Sequence, residues 1–266
     1  MKLLVSILAV GFLSCSTSRQ AGNTASELPA NTSLNGKLFS SLFHQRAAEY
    51  RALCLQGYNI ARIRIDGYKP LTNKPLAIIT DIDETILDNS PYAVHQAYKG
   101  KEYDTQSWYE WTEKAAADTM PGAAAFLRDA ASKNIRIFYI TNRDEKEKAA
   151  TIRNLQRFNL PDANEAHFFG KQNTSSKELR RQQVMQGHEV ILLMGDNLAD
   201  FSSLYDKKTE EERRLNTDIL SAEFGKKFIV FPNVNYGDWE SSLYNYNYKL
   251  TQGQKDSVLR SVLKSY

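Results

Sequence analysis

Apolar residues gather in four short runs, Leu76–Ile79, Ile135–Ile140, Val190–Met194 and Phe228–Phe231, separated by longer stretches in which they recur every three or four positions. Short apolar runs that are rich in β-branched residues and bounded by turn formers predict buried strands, and the longer periodic stretches predict helices. Pro75 precedes the first run and supports a strand there. Phe168-Phe169 predicts one more short strand. Phe43, Ala47, Tyr50, Cys54, Tyr58, Ala61 and Ile65 fall at helical spacing, which predicts one long amphipathic helix from about Gly36 to Ile65. Further helices are expected from Pro121-Gly122 through Ser132, with Pro at the first helical position, from about Asp144 to Phe158, and from a hydroxyl-capped start at Thr174-Ser175-Ser176-Lys177. Strands alternating with helices predict an α/β fold, a Rossmann-like parallel sheet flanked by helices. The segment from Asn89 to Thr119 interrupts that alternation as an insert.

The chain opens differently. Met1-Lys2 and the apolar run Leu3–Leu13, too short to span a bilayer, have the shape of a secretory signal, and Ser14-Cys15 looks like a bacterial lipoprotein cleavage site. Residues 1–14 are therefore expected to be a signal peptide, with Cys15 the lipid-modified first residue. Residues 15–36, rich in Ser, Thr, Asn, Ala and Gly, are expected to be a flexible tether. Secretion across the inner membrane and a lipid anchor at the cell envelope follow; no Asp follows Cys15, so the expected membrane is the bacterial outer membrane. Residues 37–266 are enough for one domain. At 42% hydrophobic and 24% charged the whole chain reads as globular, and its net charge of +3 is too small and dispersed for a nucleic-acid polymer. With Cys15 lipidated, Cys54 has no partner and reads as a small core hydrophobe. The charge run Lys207–Arg214 reads as a solvated helix face.

Chemistry collects where the strands end. Asp81 and Asp83 follow the first strand, Thr141 the second, and Asp196 and Asp200 the third, with Lys177 opening a helix between two of them. Ligand crevices in open α/β sheets lie at the carboxyl ends of strands. Carboxylates two apart in extended backbone point the same way, so Asp81 and Asp83 can face one substrate. Several carboxylates in one crevice call for a cation, and oxygen-only ligands suit a hard ion such as Mg²⁺; the four histidines lie outside these segments, which argues against zinc. A phosphate would complete the ion's shell, with Thr141 and Lys177 donating to its oxygens. Asp81 is then placed to attack phosphorus, and Asp83 to protonate the departing alkoxide and later take a proton from water.

Two longer stretches carry a family resemblance. Ile79-Thr80-Asp81-Ile82-Asp83-Glu84-Thr85-Ile86-Leu87-Asp88-Asn89-Ser90-Pro91-Tyr92 and Ile191-Leu192-Leu193-Met194-Gly195-Asp196-Asn197-Leu198-Ala199-Asp200-Phe201 resemble the class C acid phosphatases of the haloacid dehalogenase superfamily, secreted bacterial lipoproteins that hydrolyse phosphomonoesters including nucleoside 5′-monophosphates. Thr80 and Ile86 depart conservatively from the usual residues.

The resemblance implies a haloacid dehalogenase-like core, with a small, mainly helical cap built from the N-terminal helix, the 89–119 insert and about residues 233–266. It implies that Asp81 and Asp196 ligate Mg²⁺ through their side chains and Asp83 through its backbone carbonyl, that Asp200 lies in the shell behind them, and that Asn142 joins Thr141 and Lys177 at the phosphate. Bases would lie between aromatic rings of the insert and the C-terminal segment, by position Trp108 and Tyr236, whereas Trp111, Trp239, Tyr244, Tyr246 and Tyr248 are expected to pack helices on the sheet. The expected partners are thus a small phosphomonoester and, through the lipid, a membrane; a homodimer stays open. Two other functions stay open as well, a phosphotransferase of the same fold and a surface lipoprotein that only binds a ligand.

Overall fold

A computed structural model describes residues 32–266, so the expected signal peptide, Cys15 and most of the tether lie outside the described residues. In chain order the main elements are α1 (Thr32–Arg46), α2 (Ala48–Asp66), β1 (Leu76–Thr80), β2 (Leu87–Asp88), α3 (Ser90–Tyr98), α4 (Thr105–Glu113), β3 (Asp118–Thr119) and α5 (Ala123–Ser132). They continue with β4 (Arg136–Asp144), α6 (Lys148–Arg157), β5 (Phe168–Lys171), α7 (Glu178–Gly187), β6 (Glu189–Gly195), α8 (Glu210–Ile219), β7 (Phe228–Val230), α9 (Asp238–Leu243) and α10 (Gln252–Val262).

Five strands form one parallel sheet in the order β5-β4-β1-β6-β7, the α/β architecture the apolar runs predict. Alternation along β1 feeds both faces: Ile78 joins a core with Tyr58 of α2 and Phe126 of α5, while Ala77 and Ile79 join a second with Val184 of α7, Phe201 and Phe228. Covering both faces is what permits a parallel sheet, and each buried Leu, Ile or Phe adds about 1.5–3 kcal/mol. Among the described residues no helix is long and apolar enough to cross a membrane.

Several boundaries differ from expectation. The long helix is two helices that break at Ala47, whose backbone is extended (φ −78°, ψ 128°), and the first begins at Thr32, inside the expected tether. The predicted stripe holds from Tyr50 to Ile65 and buries Cys54 completely, but Phe43 lies at the surface against Tyr50. Pro121 precedes the helix it was expected to open: Gly122, at φ +93°, is the N-cap of α5. The charged helix starts as a 3₁₀ turn at Glu145–Glu147 before α6. Lys177 is itself the N-cap residue of α7 and its side chain makes no cap bond, while the Ser176 hydroxyl accepts the Glu178 N–H at 3.4 Å. In the charge run Arg213 is buried, donating to the Tyr205 carbonyl and lying 3.7 Å from Asp238, so that helix face is only partly solvated.

The insert is bracketed by an element too short to read from periodicity. β2 and β3 pair antiparallel, Leu87 with Thr119 and Asp88 with Asp118, and hold α3 and α4 above the end of β1. There α1 packs on α3 and on α10, bringing the N-terminal helix, the insert and the C-terminal helix together.

Candidate active site

Strand register assembles the site. Thr80 pairs with Tyr139 of β4 and with Met194 of β6, and the Asp81 N–H donates to the Met194 carbonyl at 2.9 Å. Asp81 and Asp196, just past β1 and β6, and Thr141, in the last part of β4, therefore share one sheet edge, at the carboxyl ends of the strands.

Asp81, Asp196 and Asp200 each place a carboxylate oxygen within 4.8 Å of the others. Lys177 reaches into this cluster from the start of α7, pairing with Asp81 and, at 2.7 Å, with Asp200. Burial pushes the Asp81 carboxyl up to about 7; Lys177 pulls it down, and Asp200 and Asp83 push it up again. Burial, with Asp200 and Asp81 nearby, likewise raises Asp196 well above the usual carboxylate range. For Lys177 burial works against the charge, but Asp200 and Asp81 outweigh it and the pKa rises. Three carboxylates, two of them buried, beside one ammonium carry more negative charge than the cluster offsets. An all-oxygen donor set with that excess fits a hard divalent cation. Asp200, expected behind the ligands, stands in the cluster itself. Gly195 makes room for it: a Cβ there would come within 2.2 Å of the Asp200 carboxylate.

Asp83 is held differently. Arg143 grips it with two nitrogens, Nη2 at 2.7 Å and Nε at 3.0 Å, and Asn89 donates to it at 2.9 Å. The Thr141 hydroxyl also faces Asp83, at 3.4 Å, and accepts the Arg143 N–H, while the cavity wall beside it is formed by Asn142 and Arg143. The Asn142 amide oxygen accepts from Arg180 at 2.8 Å. Arg180 also donates to the Thr141 carbonyl at 2.6 Å, and the buried Arg181 donates to the carbonyls of Ala199 and Asp200. One helix, α7, thus fixes two strand-end loops and supplies Lys177.

The cluster forms the floor of a cavity of about 570 Å³. Trp108 lines one side, edge-on to Tyr92 at 5.1 Å and with the Arg143 guanidinium 5.6 Å from its ring centroid. Tyr236 lines another, its hydroxyl donating to the Glu84 carboxylate. Glu84 is fully buried, and burial next to Asp83 and Asp196 raises its pKa well above the ordinary value. Tyr244, Tyr246 and Tyr248, expected to pack helices on the sheet, belong to the cavity wall instead. Trp111 does pack on the core and donates to Asn89, whereas Trp239 is half exposed and donates to the Tyr236 carbonyl.

Asp81, Asp83, Trp108, Asn142, Lys177, Asp196, Asp200 and Tyr236 line this cavity, and Thr141 lies against it through Asp83. Sequence reasoning passed over Arg143, Glu84, Asn89 and the α7 arginines. For Arg143 a signal existed: a cation directly after Ile140-Thr141-Asn142, where a buried strand runs out, has to find an anion.

Comparison with known proteins agrees with this geometry. The profile of the HAD superfamily, subfamily IIIB (acid phosphatase), matches residues 5–239. The class C acid phosphatase from Bacillus anthracis is similar in structure, with a TM-score of 0.84 and 40% identity over 88% of this chain and 99% of that chain. Its tungstate-bound form gives a TM-score of 0.83 at the same identity, over 88% and 98%. Acid phosphatase 1 of Solanum lycopersicum is 24% identical over 128 residues, 46% of this chain and 50% of the tomato protein. The chain spans about half the length of the curated relatives it matches. On the matched span and the shared fold, the chain belongs to the haloacid dehalogenase superfamily, subfamily IIIB, the acid phosphatases.

Proposed function

We propose that this chain is a Mg²⁺-dependent acid phosphatase that hydrolyses phosphomonoesters, nucleoside 5′-monophosphates among them, through an aspartyl phosphate on Asp81. We further propose that it works at the bacterial cell envelope, tethered to the outer membrane by lipid on Cys15. The observation that carries the hydrolytic reading is the cavity floor: Asp81, Lys177, Asp196 and Asp200 in one cluster, with Asp83 held beside it by Arg143. The Bacillus anthracis relative binds tungstate, which supports an oxyanion group on the substrate of this chain. Trp108 and Tyr236 on the walls support a substrate with a flat ring, since stacking on an aromatic side chain is worth about 1–3 kcal/mol per base.

Asp81, Asp196 and Asp200 would hold the cation, which would draw charge from the phosphoryl oxygens. Lys177, already charged, shields Asp81 from an anionic substrate. An Asp81 carboxylate oxygen attacks phosphorus and the bond to the ester oxygen breaks, with Asp83 giving that oxygen its proton. A water then attacks the aspartyl phosphate, Asp83 takes the water's proton, and inorganic phosphate leaves with Asp81 restored. Arg143 and Asn89 keep Asp83 pointed at the reacting oxygens through both steps.

Inorganic phosphate release from a panel of nucleotides and sugar phosphates, with and without chelator, tests this. Release that chelator abolishes and Mg²⁺ restores, together with an inactive but folded Asp81→Asn variant, is the expected result. Wild-type turnover by Asp81→Asn would overturn the nucleophile.

A further inference from the structure

Tyr236 enters the cavity wall from a segment 152 residues beyond Glu84, yet its hydroxyl ends on that buried carboxylate. Glu84 has no freedom of its own. It accepts the Asn89 N–H at 2.7 Å and the Asn89 side-chain amide at 3.4 Å, and its own N–H donates to the Leu87 carbonyl at 2.8 Å. Its backbone is left-handed, φ 56°, a conformation disfavoured for a residue with a Cβ and one that persists only where the surroundings over-determine it. A burdened turn carrying a buried acid, directly after the residue proposed as acid and base, is an unusual place to anchor a wall residue. The other end of Tyr236 is tied as well. Asn233 donates to the Asp196 carboxylate at 2.7 Å, and its amide oxygen accepts the N–H groups of Asn235 and Tyr236. Ring and backbone of Tyr236 are thus referred to two different edges of the same floor.

We infer that Glu84 is a specificity-positioning residue: by taking the Tyr236 hydroxyl it fixes that ring over the cavity and sets how tightly the enzyme holds the part of the substrate beyond the phosphate. This rests on the proposed hydrolysis of phosphomonoesters and names what selects among them. A ring clamped before substrate arrives loses little freedom on stacking, so the link acts on binding. It discriminates in favour of esters that present a flat ring. Esters with a small aliphatic group gain nothing from it. Glutamine at this position still accepts the Asn89 N–H with its oxygen while its amide faces the tyrosine oxygen, so the conservative change preserves the link and alanine removes it.

The experiment is a double-mutant cycle on the full chain: wild type, Glu84→Ala, Tyr236→Phe, the double variant and Glu84→Gln, each assayed with a nucleoside 5′-monophosphate and with glycerol phosphate, and each checked for fold by near-ultraviolet circular dichroism. The ratio of kcat/KM between the two substrates should fall roughly tenfold in Glu84→Ala and in Tyr236→Phe, through KM, and no further in the double variant, because either change breaks the same link. Glu84→Gln should keep the wild-type ratio. Additive losses, or an unchanged ratio in folded Glu84→Ala, would overturn the inference. Should Glu84→Ala fail to fold, the Tyr236→Phe ratio decides alone, and a wild-type value there overturns the inference too. A wild type that hydrolyses glycerol phosphate as well as the nucleotide sinks the proposed nucleotide recognition and this inference with it, whereas a wild type inactive on both sinks the hydrolytic reading.

Discussion

Asp83 and Arg143 form an ion pair at 2.7 Å with the arginine almost wholly buried. A planar guanidinium can grip a carboxylate through two nitrogens and a lysine ammonium cannot, so the pair orients Asp83 as well as charging its surroundings. Arg143→Lys should keep the fold and lower kcat by roughly 10–100-fold, as misplacement of a catalytic group by about 1 Å does; steady-state kinetics with circular dichroism on the same sample checks it. An unchanged kcat would mean that Asp83 does not need the second nitrogen. Asp81, Asp83 and Asp196 were legible in the sequence because acids directly behind apolar runs have no structural use there. The partners of Arg143 and Glu84 were not, since each lies far off in sequence, Asp83 across 60 positions and Tyr236 across 152. The place of Asp200 beside Asp81 and Asp196 was not legible for a related reason: the close approach allowed by Gly195 lets its carboxylate stand near theirs.

Periodicity sees elements that bury one face over many residues, which is why β1, β4, β6 and the body of α2 were legible. β2 and β3, two residues each, bury too little to leave a period, and the break at Ala47 leaves the spacing of apolar residues intact on both sides. The start of β6 holds a device that is equally silent in sequence. Glu189 accepts from the Thr72 hydroxyl, from Tyr68 and from the N–H groups of Leu71 and Thr72, pinning the turn before β1 to the sheet. The Thr72 hydroxyl first, then Tyr68 and the Leu71 N–H, hold its carboxyl down at about 2 from an ordinary 4.5. A folded-state pKa below the unfolded one adds stability that is complete above about 4.5 and is lost as pH falls towards 2. Thermal unfolding of wild type and Glu189→Gln should therefore show a gap in Tm at pH 7 that closes progressively below about pH 4.5. A gap that stayed constant in acid would exclude the charged form as its source.

At the scale of the whole molecule, folding concentrates like charge at one sheet edge and leaves Lys177 and Arg143 to hold it. A hard cation that binds only the folded chain should stabilise it by mass action. At about a hundred times its Kd the gain is about 2.7 kcal/mol, which for a chain of this size raises Tm by roughly 5–10 °C. Mg²⁺ titrated into chelator-treated protein should give that shift, and Asp196→Asn should remove most of it; differential scanning calorimetry reads both without any substrate. An equal shift in Asp196→Asn would place the ion elsewhere. The sheet and its ligand-bearing edge could be anticipated because they follow from local pattern and the topology of parallel strands. No local pattern shows the cavity, because its walls come from α1, the insert and the C-terminal segment, which meet only in three dimensions; only the family resemblance pointed to those segments.

The fully enclosed sulfur of α2 has a consequence for handling outside a reducing compartment. Burial pushes the Cys54 thiol up to about 11, and among the described residues there is no second cysteine. The reactive thiolate is thus scarce and walled in, so oxidants and alkylating reagents find it only in chains that have come apart.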